Sequence, residues 1–326
     1  MSRKPNLFVI GAMKSGTSTV CRYLSLHPAI YMSPVKEPNH FSNPDKCSRD
    51  QYLQLFQGAT EQQYLAEGST NYTKRPFIEG VAERLHEFNP DARLVYVMRD
   101  PLARLVSQYR HEIKMNRERR SLLQAIREPS EYLAFSHYAY QLRPYLDLFG
   151  QRAVYVDTLE SLTAGPQLWL GRLLEWLGVD PSRLPPIAGQ RLNASPEVME
   201  IFQEGSLLVR TWRYLRPHRR IVEILPARVR RWYHSRLPRK VRHPDSEEFR
   251  AEVEQVRGLV QPLLSEWIRE LSDLTGRSYG EWPSHAAGDP AGLAPAIARV
   301  WLPDEILQVQ RKTIELYARA ADHVTT

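Results

Sequence analysis

Cysteine is scarce: Cys21 and Cys47 are the only two in 326 residues. They are too few for a disulfide framework and stand in no metal-ligand spacing, which predicts a reducing compartment. No His, Cys, Asp and Glu cluster has the spacing of a metal site, so no metal is expected. Nor does any apolar run approach the roughly 18 residues of a membrane helix. Internal repeats and low-complexity tracts are also missing. The first apolar run begins within a few residues of Met1 and leaves no room for a cleavable signal peptide, which predicts a cytoplasmic chain. Positive charge, by contrast, is plentiful. Lys and Arg number 44 against 37 Asp and Glu, a formal charge of +7. That excess points to anionic ligands without separating nucleotides, nucleic acid and membranes. A hydrophobic content of 42% is ordinary for a globular chain. The length suits one large α/β domain or a domain with an appendage.

The chain is organised around its opening, NLFVIGAMKSGTSTVCRYLSLH, from Asn6 to His27. Leu7 to Ile10 is long enough for a buried strand and too short for a buried helix. Gly11 breaks it, and Gly16 to Thr19 leads into a helical pattern with Val20, Tyr23, Leu24 and Leu26 as apolar positions. Strand, glycine loop and helix make a phosphate cradle. Glycine lets the backbone close around an anion, and the first helical N–H groups point at it with the helix dipole behind them. Lys14 adds a full charge, and Thr17, Ser18 and Thr19 add hydroxyls. Gly11 and Gly16 have the G-x-x-x-x-G spacing of an NTPase loop, but Thr17 stands where that motif needs lysine.

The arrangement Lys14-Ser15-Gly16-Thr17-Ser18 resembles the K-[ST]-G-[ST]-[ST] loop of the sulfotransferases. In that family the loop holds the 5′ end of 3′-phosphoadenosine-5′-phosphosulfate (PAPS). Further segments carry the likeness. Leu94 to Met98 reads as a buried parallel strand. Arg99 follows at its C-terminal end, where open α/β sheets put their ligands. Asp100 suits an N-cap and Pro101 a first helical turn. Arg99, Asp100, Pro101, Arg104, Ser107 and Tyr109 match the family's R-D-P-x-x-R-x-x-S-x-Y pattern. The resemblance implies that Arg99 and Ser107 hold the 3′-phosphate.

Between these motifs, Ala29 to Ser42 holds a short strand at Ile30 to Met32, then extended backbone forced by Pro34 and Pro38. A carboxylate held near a phosphate-binding lysine is a candidate general base. Lys36, Glu37 and Phe41 match the K-E-x-x-x-F motif of glycan sulfotransferases, in which the glutamate is regarded as the base. Small-molecule sulfotransferases use a histidine, so His40 is a rival. Ion pairing between Glu37 and Lys36 on a surface loop is the plainer reading. Tyr64 to Tyr72 is similar to the family's G-E-x-S-P-x-Y segment. The resemblance implies that Glu67, Ser69 and Tyr72 line the acceptor side, with Lys36 beside them. The lysine that often follows the glutamate is here Gly68.

Aromatic residues at helical spacing from Tyr132 to Phe149 read as core. Ala153 to Val156 is a further strand, and Glu160 and Leu162 correspond to the family's Y-E-D-L turn. Helices are predicted over Gln167 to Leu177 and Phe249 to Leu274. Gln190 to Pro196 falls where the family often brings a basic lid over the nucleotide, which makes Arg191, Asn193 and Ser195 candidates. Leu207 to His243 carries 12 Lys or Arg and 3 His against one acid, Glu223. A solvated basic face, an anionic surface contact and a groove for an acidic acceptor all fit that stretch, and no nucleic-acid module surrounds it.

The expectation is therefore an α/β chain with a P-loop-like, three-layer fold: a central parallel sheet flanked by helices, and a helical C-terminal part. The sulfotransferase domain would span 1–282, with a linker at 283–295 and a helical extension at 296–326. The resemblance implies sulfuryl transfer from PAPS, leaving PAP, to a hydroxyl of a glycan or a glycosylated or polyol-like natural product. Lys14, the loop amides and Glu37 would do the chemistry without metal. A small-molecule kinase using ATP and a non-catalytic anion- or nucleic-acid-binding protein are the alternatives. Peripheral contact with an anionic surface and a homodimer stay open.

Overall fold

The computed structural model describes residues 3–115, 117–127, 131–187 and 246–285. Five short apolar runs form one all-parallel sheet. They are β1 (Leu7–Gly11), β2 (Ile30–Met32), β3 (Tyr64–Gly68), β4 (Arg93–Met98) and β5 (Val154–Thr158). Their order across the sheet is β2-β3-β1-β4-β5. Leu7 pairs with Ala66 on one side and Arg93 on the other.

The runs are unbroken in hydrophobicity because both faces are covered. Phe8, Ile10, Leu94, Tyr96 and Met98 face one layer, with α3 (Val81–Phe88), α7 (Tyr138–Phe149) and part of α10 (Glu247–Thr275). Leu7, Val9, Val95 and Val97 face the other, with α1 (Thr17–Leu24) and α9 (Pro166–Trp176). Between these lie α2 (Arg49–Gln54), α4 (Pro101–Lys114), α5 (Leu122–Arg127), α6 (Glu131–Ala134) and α8 (Leu159–Ala164). The three-layer α/β architecture is thus as expected. Helix α1 stops at Leu24, and Leu26, expected on its apolar face, is exposed.

The chain divides into two compact units, residues 1–192 with 252–326, and residues 193–251. Pro283–His285, at the start of the expected linker, is not loose. It forms a 3₁₀ turn in which Ser284 is fully buried and donates its N–H to Asp100 Oδ2 at 2.9 Å. Arg191, Asn193, Ser195, the basic stretch 207–243 and the rest of 283–326 lie outside the described residues. No helix among the described residues is long and apolar enough to cross a membrane.

The strand order matters for function. From β1 the chain passes to β2 and β3 on one side, then crosses to β4 and β5 on the other. That reversal opens a crevice beyond the C-terminal end of β1, flanked by the ends of β3 and β4.

Candidate active site

Four loops meet at that edge. The first joins β1 to α1. Ala12 N–H donates to Val97 O at 2.7 Å, which ties the loop to the end of β4. Lys14 and Gly16 both take the left-handed backbone, at φ 69° and 85°. Ser15 between them is fully buried, and its hydroxyl has no hydrogen-bond partner among the described residues. Helix α1 starts from Gly16 with no side-chain cap and no acid in its first turn, so its leading N–H groups are left for an outside acceptor. Thr17 is buried, Thr19 half-buried and Ser18 exposed. A side chain at Gly16 would meet Leu159 Cδ1 at 2.7 Å. The loop is a closed cradle of donors.

Lys14 is half-buried above it. Its pKa is lowered, first by burial and then by the positive charge of Arg99, with Glu112 partly offsetting both. His111 on α4 is also lowered, by burial and then by Lys14. Lys14 and Arg99 therefore share one electropositive site, with His111 and Glu112 beside it, and repulsion between the two cations favours an incoming anion.

Arg99 sits at the tip of β4, and its backbone is fixed on both sides. Tyr138 OH donates to Arg99 O at 2.7 Å and accepts from Arg99 N–H at 3.4 Å. Asp100 Oδ1 caps α4 through Ala103 N–H at 2.8 Å, and Asp100 N–H donates to Glu160 Oε1 at 3.0 Å. Glu160 Oε2 also accepts from Trp282 Nε1–H at 3.1 Å. With its main chain held, the half-buried Arg99 side chain makes no ion pair among the described residues. Ser107 is half-buried farther along α4.

The third and fourth loops, after β2 and β3, hold Glu37. Thr70 Oγ1 donates to Glu37 Oε1 at 2.8 Å, and Lys36 Nζ lies 3.6 Å from the same oxygen. Oε2 has no protein partner among the described residues. Lys74, half-buried beside this turn, has a pKa lowered by burial, with Glu37 the largest opposing influence. A carboxylate with one oxygen fixed and one free can take a proton.

The family model described as sulfotransferase domain matches residues 4–199. The chain belongs to the sulfotransferase family. This sulfotransferase domain is similar to the membrane-associated sulfotransferase kil1 of Dictyostelium discoideum, 32% identical over 136 residues. That match covers 41% of this chain and 27% of the relative. Human carbohydrate sulfotransferase 15 is 26% identical over 226 residues, covering 54% of this chain and 38% of the relative. Mouse bifunctional heparan sulfate N-deacetylase/N-sulfotransferase 2 is 26% identical over 212 residues, covering 62% and 22%. These matches thus span less than two-fifths of each relative's length. The crystal structure of a sulfotransferase from Alicyclobacillus acidocaldarius shares the fold, with a TM-score of 0.59 at 24% identity. It covers 86% of this chain and 99% of that one.

Within the sulfotransferase domain the expected site residues separate into two groups. Lys14, Ser15, Gly16, Thr17, Ser18, Thr19, Lys36, Glu37 and Arg99 lie on loops or a helix start at the crevice edge. Glu67, Ser69 and Tyr72 do not line an acceptor surface. All three are sealed in the core, at 0%, 0% and 1% exposure. Glu67 accepts from Tyr52 OH, Ser69 Oγ and Tyr72 OH at 3.3, 2.8 and 2.5 Å. Burial nevertheless pushes its carboxyl up to about 7. The next position is glycine for a steric reason, since a side chain at Gly68 would meet Cys21 Sγ at 2.5 Å.

His40 is likewise a packing residue. Its ring stacks on Tyr52 at 4.4 Å, its Nδ1 lies 2.9 Å from Cys47 O, and burial lowers its pKa. Arg104, part of the matched pattern, is also fully buried. It donates to Ser136 Oγ, Gln108 Oε1 and Tyr132 O, so its guanidinium is occupied. Thr70, Lys74, His111 and Tyr138 belong to no motif of the sequence and join the site only through the fold. Thr70 stands between Ser69 and Tyr72 in the turn after β3, and only its contact with Glu37 reveals a use.

Proposed function

We propose that this chain moves a sulfuryl group from PAPS to an acceptor hydroxyl, with Glu37 as the general base. Family membership supports sulfuryl transfer in general. One observation carries the donor reading: the sealed Ser15 hydroxyl, without a partner among the described residues, lies between two left-handed residues at an uncapped helix start. A buried hydroxyl without a partner is costly, and a phosphate oxygen would satisfy it. The donor set fits an anion in every member: ammonium, backbone N–H groups and hydroxyls.

When bound, the donor supplies the sulfuryl group on a phosphosulfate linkage. Lys14, the N–H groups of 16–19 and the hydroxyls of Ser15, Thr17, Ser18 and Thr19 hold its 5′ end and stabilise the charge that gathers there. Arg99 forks two donors onto the 3′-phosphate, and Ser107 adds a hydroxyl. Glu37 takes the acceptor proton on Oε2 while Thr70 and Lys36 hold Oε1. His40 is the weaker base candidate, because its ring is stacked and one nitrogen is engaged. The carbohydrate and heparan sulfate relatives support a glycan hydroxyl as acceptor, with a glycosylated or polyol-like natural product as the wider class.

Calorimetric titration with PAP, beside ATP and ADP with and without Mg²⁺, tests the reading. Preferential, metal-independent binding of PAP is expected. Preference for ATP with Mg²⁺ would transfer the site to a kinase.

A further inference from the structure

Glu37 stands on a loop that is irregular throughout, yet its carboxylate must keep one orientation to act as a base. The loop's own hydrogen bonds converge on Asn39, a non-glycine residue held in the left-handed region at φ 58°. Asn39 O accepts from Ser42 Oγ and from the N–H groups of Ser42 and Asn43, at 3.0, 3.2 and 3.0 Å. Asn39 Nδ2–H donates to Glu37 O at 3.2 Å. Left-handed backbone is uphill for most residues and persists where its surroundings hold it.

What holds it lies one strand away. Asn39 N–H donates to Ser69 Oγ at 3.0 Å, and Ser69 Oγ donates to Glu67 Oε2 at 2.8 Å. Glu67 is anchored in turn by Tyr72 OH and Tyr52 OH on Oε1. A hydroxyl whose proton is committed to a carboxylate has its lone pairs free for an N–H, so Glu67 sets the polarity of the link. The adjoining Thr70 fixes the Glu37 side chain itself. Residues 67–70 thus grip the base segment twice, once by side chain and once by backbone.

We propose that Glu67 is a positioning residue: its carboxylate, acting through Ser69 and the Asn39 amide, holds the Glu37–Asn39 segment in the geometry proton transfer requires. The consequence for catalysis rests on Glu37 being the base; the hydrogen-bonded link itself does not. Glu67 touches neither donor nor acceptor. It is sealed at the end of β3, and its role is to let an irregular proline-rich loop behave as a rigid element.

The test is amide hydrogen exchange on the full chain with PAP bound, read at Asn39 and across 36–43, with β1 as the internal control for the fold. Ser69→Ala cuts the link while leaving both tyrosine anchors. Glu67→Leu removes the acceptor oxygens at similar volume. Glu67→Gln keeps an oxygen for Ser69 and serves as the conservative rescue. We expect Asn39 exchange to rise about fivefold or more in Ser69→Ala and Glu67→Leu, consistent with the loss of one hydrogen bond. Glu67→Gln should stay within about twofold of wild type, and exchange in β1 and PAP affinity should not change. Should Glu67→Leu fail to fold, Ser69→Ala carries the test. Unchanged Asn39 exchange in Ser69→Ala would overturn the proposal. So would an equal rise in β1, which would make these residues general supports of the core. Because turnover is not read, failure of the link and failure of the base assignment are separate results.

Discussion

Thr70 Oγ1 and Glu37 Oε1 are joined by a 2.8 Å hydrogen bond across 33 residues of sequence. The contact converts a glutamate on an irregular loop into a fixed group, and it leaves the second carboxylate oxygen available. Lys36 Nζ lies 3.6 Å from the same Oε1, so both contacts fall on one side of the carboxylate.

The first prediction concerns that base. Glu37→Gln keeps the volume and the Thr70 contact but cannot take a proton. Turnover should fall by roughly 10²–10⁴-fold, the usual weight of general base catalysis. PAP affinity by calorimetry should match wild type. Undiminished turnover in a folded Glu37→Gln protein would remove Glu37 from the role.

Arg99→Ala tests the donor site. The side chain forms no ion pair among the described residues, so the melting temperature should hold. Loss of charge-assisted bonds should weaken PAP binding by roughly 10–100-fold. ADP, which lacks the 3′-phosphate, should be affected far less. Equal losses for the two nucleotides would contradict the assignment.

Gly16→Ala should damage stability and PAP binding together. Its backbone is left-handed at φ 85°, and the added methyl meets Leu159 at 2.7 Å. We expect a cost of about 1–3 kcal/mol in urea unfolding. Adding Leu159→Ala should relieve the steric part and not the backbone part.

Arg104→Met separates motif from site. Removing the guanidinium strands the oxygens of Gln108, Ser136 and Tyr132 in the core. A loss of at least about 2 kcal/mol is expected. PAP affinity, measured well below the lowered melting temperature, should change little.

Stability should also respond to pH through Glu67. Its folded pKa is raised to about 7 from an ordinary 4.5, so the native state holds a proton that the unfolded chain has released between those values. Stability therefore falls as pH rises from about 4.5 to about 7 and is flat above. The full linkage is worth up to about 3 kcal/mol. Urea unfolding of wild type and Glu67→Gln at pH 5 and pH 8 checks this. The difference between the two proteins should shift towards Glu67→Gln at the higher pH.

Local chemistry determined much of this protein by itself. The strand–loop–helix at 7–24, the apolar runs of β4 and β5 and the Asp100-Pro101 helix start were legible because each rests on neighbouring residues. A doubly covered sheet needs continuous apolar strands, and an anion cradle needs glycine, lysine and hydroxyls within a few positions. Tertiary structure decided what sequence proximity cannot express. Glu67 ends β3 and Ser69 and Tyr72 stand in the turn after it, beside the crevice, yet the hydrogen bonds of Ser69, Tyr72 and Tyr52 to the Glu67 carboxylate keep all three in the core. Arg104 shares a motif with Arg99 and faces the core instead. Thr70 and Lys74 acquire a use only through the crossing of β2 and β3 loops that places them by Glu37. Burial and contact across distant loops depend on where the whole chain packs, and no local pattern encodes them.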